Sequence, residues 1–178
     1  MSKKEKKTAV LLLSRNFMVG HAKAGQPTWF KEQLMNLLHN YEYHNVNMPD
    51  GSDLLITGKK LHTMRGNYNY WAEKAAKINA GEMELSIRQW SGKPFDSVQK
   101  TIATLQHLNI QRYEGYWYKE QREKGELPTF LIDGKLLEDV TLLAKNDGLS
   151  MEDWLEWFFK KTEKVEGVIL HFTQEFRY

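Results

Sequence analysis

The sequence predicts an α+β fold, a small antiparallel β-barrel with helices packed at one side. Three observations predict it. Met83, Leu85 and Ile87 alternate with Glu82, Glu84, Ser86 and Arg88, the period of a half-buried strand. Phe30, Leu34, Leu37 and Leu38, and later Trp154, Leu155, Trp157 and Phe158, recur at helical spacing. Turn and cap residues separate many short apolar runs, and short strands with helices gathered at one side form an α+β pattern.

In chain order, residues 1–7 read as a disordered basic tail and residues 8–178 as one domain. "TAVLLLSRNF" is a buried strand, and "TWFKEQLMNLLHN" is a helix with Thr28 as its cap. "YEYHNVNMPDGSD" is turn material ending in Asp-Gly. "YNYWAEKAAKINAG" is a short helix closed by Gly81. Strands are expected over residues 82–90, 100–110 (long, with a bulge) and 167–176. "EGYWYKEQREKGELP" reads as a mobile charged loop, and Asp133-Gly134 in "TFLIDGKLL" marks a hairpin. Asn146, Asp147 and Gly148 break the next helical run. Ser150, with Asp153 three residues on, caps a helix to Lys160.

Composition limits the function. Hydrophobic residues make up 41% of 178, enough for a real core. The net charge is +2, so a nucleic-acid site has to be a local patch rather than a field around the whole molecule. There are no cysteines, which excludes disulfides, thiolate catalysis and Cys-ligated zinc and fits a reducing cytoplasm. No run approaches the roughly 20 apolar residues of a membrane span. The basic N-terminus lacks a signal-peptide core and cleavage site. The expectation is a soluble, cytoplasmic protein. The six histidines show no paired helical spacing, and "GKK" has neither P-loop nor dinucleotide-fingerprint spacing, so neither metal nor cofactor is expected.

"GKKLHTMR", residues 58–65, carries the chemistry. An apolar run and a glycine are followed at once by Lys59, Lys60, His62, Thr63 and Arg65. Two readings fit: a solvated turn, or a basic pocket for an anion or nucleobase. Lys60 and Thr63 face opposite sides of a regular strand. They converge only if Lys60 sits in the turn after Gly58 and the strand starts near Leu61.

Gly58, Lys60, Thr63 and Arg65 reproduce a G-x-K-x-x-T-x-R signature, and in this the chain resembles the ASCH family of PUA-like domains. "AGEMELSIRQW" and "AKNDGLSMEDWLEWF" resemble later family segments in the same order. The resemblance implies a pseudobarrel with a cleft facing the helices, and insertions near residues 40–57 and 114–127. It implies binding of RNA or of another nucleobase-containing ligand, a nucleoside or nucleotide, through Gly58, Lys60, Thr63 and Arg65. One branch of the family deacylates acetylated cytidine with a Lys, a Thr and a Glu. Those roles fall on Lys60, Thr63 and Asp147, the acid here being one methylene shorter.

The residue types suit that chemistry. Thr63 needs a base to become a nucleophile, and Lys60 serves if burial lowers its pKa. Asp147 then positions water or carries a proton, and Arg65 suits a phosphate or oxyanion. Arg88, in "RQWSGKP", is a further contact candidate beside Trp90 and Lys93. The plain alternatives are a strand-leading turn at Lys60 and an ordinary Asn-Asp-Gly turn at Asp147. Trp71, Trp154, Trp157 and Phe158 are expected in the core.

Overall fold

The computed structural model describes residues 6–178. Strand β1 (Lys7–Leu12) leads through a loop to helix α1 (Phe30–Leu38), then to the hairpin β2 (Tyr43–Asn47) and β3 (Asp53–Thr57). Strand β4 (His62–Arg65), helix α2 (Tyr68–Asn79) and strands β5 (Met83–Trp90), β6 (Gln99–Leu105) and β7 (Asn109–Tyr116) follow. Helix α3 (Lys119–Glu123), hairpin β8 (Thr129–Ile132) and β9 (Lys135–Leu136), helices α4 (Thr141–Asp147) and α5 (Met151–Phe159), and strand β10 (Lys164–His171) complete the chain.

The strands form three ladders, and among the described residues these do not close into one barrel. The first has order β1-β5-β6, with β1 parallel to β5 and Leu11 opposite Ile87. The second, β4-β10-β7-β8-β9, is antiparallel throughout. The third is the β2–β3 hairpin alone. Ala9, Leu11, Leu85 and Ile87 of the first ladder share one core with Val168 and Leu170 of the second, closed by Leu34 and Ile78 from α1 and α2. On the other face of the second ladder, Met64, Phe130 and Ile169 pack under Leu143 of α4 and Trp154 of α5. The molecule is therefore α+β, with β10 buried between two apolar layers.

Several local expectations hold. Gly81 ends α2 with φ +76°, and Ser150 caps α5 by accepting from Asp153 N at 3.1 Å. Asp133 and Gly134 both have positive φ, the requirement of a two-residue hairpin turn. Trp71 and Trp154 are buried. Thr28 stands one residue ahead of the α1 cap position, which Trp29 occupies; its hydroxyl accepts weakly from Phe30 N and donates to Ser14 O.

Others are corrected. Residues 1–5 of the expected tail lie outside the described residues, whereas Lys7 is already in β1, opposite Met83. Residues 41–53, expected as turn material, hold strand β2 and the turn into β3; apolar Tyr43 and Leu55 on the exposed face and His44 on the inner face hide the period of the hairpin. The long strand over 100–110 is two strands in different ladders. Asn79 clamps the break, its side chain donating to Leu108 O and accepting from Leu108 N. The expected bulge is real: Ile87 faces Ala103, Arg88 faces Thr101, and Ile102 is skipped. In the charged segment 114–127, β7 runs on to Tyr116 and α3 follows. Arg122 holds α3 by donating to Phe159 O and Thr162 O and stacking on Trp117. The last strand spans 164–171, not 167–176.

Candidate functional site

Backbone hydrogen bonds hold the Gly58–Arg65 segment in place. Asn36, buried on α1, donates from Nδ2 to Ile56 O and Gly58 O, both at 3.0 Å. Gly58 turns the chain with φ +87°, a conformation glycine adopts without strain. Lys60 N then donates to Gln33 O at 3.2 Å, and Leu61 N to Asn146 O at 2.8 Å. Gln33 also binds the α4–α5 corner, donating to Gly148 O at 3.1 Å. The motif turn, α1 and the end of α4 thus form one hydrogen-bonded unit.

Inside that unit Lys60 is 0% exposed. Its ammonium lies 2.5 Å from Asp147 Oδ1, also donates to Asp147 O, and sits 3.9 Å from the Phe30 ring centre. Asp147 is the last residue of α4, where a carboxylate meets the negative end of the helix dipole. One ammonium answers both the carboxylate and a free helix carbonyl. Arg65 adds a second cation, its Nη2 donating to Leu12 O at 2.6 Å.

Burial sets the electrostatics. It pushes the Lys60 ammonium below its ordinary pKa, while the Asp147 charge and hydrogen bond resist. It pushes the Asp147 carboxyl up, against the pull of Lys60 and then Arg65. The acid and the base are thereby brought closer in pKa. Burial also lowers Arg65 and raises Tyr113, whose hydroxyl feels Asp147 and Arg65 in turn.

Lys60 does sit in the turn and the strand starts after it, at His62, as convergence with Thr63 requires. Thr63 and Arg65 share the face of β4 that opposes Leu170 and Val168 of the main core, while His62 and Met64 face the other way. Thr63 is 3% exposed. Lys60 spends its hydrogen bonds on Asp147, not on Thr63, and no hydrogen bond of the Thr63 hydroxyl occurs among the described residues. Arg88 makes no hydrogen bond or ion pair with Lys60, Thr63, Arg65 or Asp147 among the described residues. It lies on the face of β5 away from Ile87, and its Nε donates to Ser86 Oγ at 2.9 Å. Gly58, Lys59 and Leu61 line an open groove of about 670 Å³ with Asn146 and Ser150, while Lys60 between them points inward.

Sequence reasoning missed a polar cluster on the other face of β4. His62 Nε2 is 2.6 Å from the Tyr178 hydroxyl, which accepts from Asn146 Nδ2 at 2.9 Å. His171 Nε2 donates to Gln111 Oε1 at 3.0 Å. Both histidines are buried, and the Nδ1 of each has no partner among the described residues. Burial holds His62 well below its ordinary pKa and His171 at about 4. Only their positions opposite each other across β4 and β10 bring them together, and no local spacing signals that.

Comparison with protein-family models, with curated proteins and with solved structures gives no match to this chain.

Proposed function

We propose that the chain is an ASCH-type, PUA-like domain that binds a nucleobase-containing ligand, RNA or a free nucleoside or nucleotide, at the Lys60–Asp147–Arg65 cluster. The carrying observation is the meeting of Lys60 with Asp147. The resemblance assigns family roles to these two positions, and nothing in their local sequence requires them to touch. Two large ladders around a shared core support the PUA-like pseudobarrel reading without a closed ring of strands.

The arrangement suits a small polar ligand. Two cations and one carboxylate leave the cluster with a net positive charge, matched to a phosphate or a base carbonyl. The Thr63 hydroxyl is free to donate or accept. Arg65, half-buried, is more accessible than the wholly buried Lys60.

A second reading, deacylation of an acylated cytidine, is favoured by the same contact. An acid and a base whose pKa values approach each other form a proton-transfer pair. In that reading Lys60, neutral once its proton has passed to Asp147, takes the Thr63 proton as Thr63 Oγ attacks the acyl carbon; protonated Asp147 gives its proton to the leaving amine, and water then hydrolyses the acyl-threonine ester. Ligand binding has to draw the Thr63 hydroxyl and Lys60 together, since they are not hydrogen-bonded in the free chain.

Thr63→Val tests both readings, because it removes the hydroxyl and keeps the shape. Calorimetric titration with cytidine, cytidine monophosphate, acetylated cytidine and a short RNA should show binding to the wild type. The variant should bind about tenfold more weakly, the scale of one buried hydrogen bond to a ligand. Turnover of acetylated cytidine, abolished by Thr63→Val, selects the enzyme. Binding without turnover selects the binder. No binding of any of the four ligands removes the proposal.

A further inference from the structure

A second open groove of about 710 Å³ lies between the start of α1, the tip of the β2–β3 hairpin and the β5–β6 end of the first ladder. Trp29 and Trp90 line it, together with Arg15, Lys31 and Lys100, against one acidic residue, Glu32. All three cations are exposed, and none takes part in an ion pair among the described residues. Trp90 also packs at 5.4 Å on Phe95, which is 87% exposed. In a protein of net charge +2, this is a local concentration of cations beside aromatic faces.

Trp29 has φ +60°, a left-handed conformation unusual for a bulky residue and costing on the order of 1–3 kcal/mol. That turn puts Phe30 into the core under Lys60 while Trp29 lines the groove. Leu12, which binds Arg65, and Arg15 are similarly close along the chain. Neighbouring residues at the start of α1 thus serve the groove (Trp29) and the Lys60–Asp147 cluster (Phe30).

We infer that this groove binds single-stranded nucleic acid, with bases stacked on Trp29 and Trp90 and phosphates met by Arg15, Lys31 and Lys100. The inference rests on the nucleobase-ligand reading above and makes the ligand a strand rather than a lone nucleoside. Aromatic faces interleaved with cations are what a sequence-tolerant single-strand site needs, because every base has a face and every linkage a charge. An acidic peptide would satisfy the cations but leave the two indoles without stacking partners.

The test uses a fluorescently labelled oligouridylate of about 12 nucleotides, within the span of one small single-strand site. Anisotropy should report binding at low salt, with a log–log salt slope of about −2 for three phosphates neutralised on a single strand. Indole fluorescence should be quenched on binding. Lys31→Glu with Lys100→Glu, both exposed, should weaken binding at least tenfold, and Trp90→Ala by about tenfold. Thermal midpoints should stay within a few degrees of wild type. Absence of binding at low salt, undiminished affinity in both groove variants, or equal competition by oligoglutamate each overturns the inference. If groove variants lose RNA while no nucleoside binds, only the cluster reading fails. If Thr63→Val loses nucleoside affinity while groove variants keep RNA, only the groove fails.

Discussion

Lys60 and Asp147 stand 87 positions apart in the chain, yet their charged groups meet at 2.5 Å in a site closed to solvent. A buried pair of this kind is weak support for stability, because desolvation opposes the attraction. Breaking it is another matter.

Lys60→Met should cost about 3–5 kcal/mol, since it leaves the Asp147 carboxylate buried without a partner. Pairing it with Asp147→Leu should recover most of that loss. Urea unfolding of the two single variants and the double variant measures the coupling. Additive losses would show that the pair is not coupled in solution.

Acidification should destabilise the fold between about pH 6.5 and 4. His171 is held at about 4, mainly by burial and then by Arg177, against its ordinary 6.5. In that window the unfolded chain binds a proton that the folded chain refuses, so unfolding free energy falls as pH falls. The slope is about 1.4 kcal/mol per pH unit for each such histidine. His62 shifts in the same direction, pushed by burial, Lys60 and His171. Chemical denaturation at a series of pH values should show the slope, and His171→Gln should reduce it.

Gly167→Ala should be severe. An added Cβ would lie 2.0 Å from Arg65 O, on the neighbouring strand of the β4–β10 ladder. Backbone cannot yield as a flexible side chain does, so a loss of about 3 kcal/mol or more is expected. Displaced Arg65 should also weaken nucleobase-ligand affinity. A thermal midpoint unchanged from wild type would contradict the close approach.

Gly58→Ala isolates conformation from sterics. Nothing lies within 4 Å of the added Cβ, but φ is +87°. The expected cost is about 1–2 kcal/mol, from the left-handed backbone alone. Equilibrium unfolding checks it, and a neutral result would mean the turn relaxes.

Arg65→Ala should lower the thermal midpoint by a few degrees. Its guanidinium donates to Leu12 O and offsets the Asp147 charge, so this is not a surface cation free to be removed. Weakened binding with unchanged stability, the outcome for an exposed cation, does not fit that geometry. Differential scanning calorimetry separates the two effects.

Local signals carried much of the chain. The α5 cap at Ser150, the Asp133-Gly134 hairpin and the β5 alternation are each written in a few neighbouring residues, and each appears as read. The β2–β3 hairpin escaped because its inner face carries His44 beside Val46 and Ile56 while its outer face carries Tyr43 and Leu55, so polarity does not follow its burial period. The split between β6 and β7 escaped because Asn79, some thirty residues upstream, makes it. At the site, the place of Lys60 in the turn after Gly58 was legible from the glycine, whereas its contact with Asp147 and the face of β5 that Arg88 occupies were not.

By itself the sequence determined an α+β chain with a glycine-turned basic motif, a capped helix after Asp147, and neither cysteine nor long apolar span. Those features depend on residues a few positions apart. Only the tertiary structure decided that Lys60 is enclosed with Asp147, that His62 and His171 face each other, and that the exposed cations gather at Trp29 and Trp90. Each of these joins residues distant in the chain. Their meeting depends on how the ladders and helices bury their apolar faces together, and no local spacing encodes that.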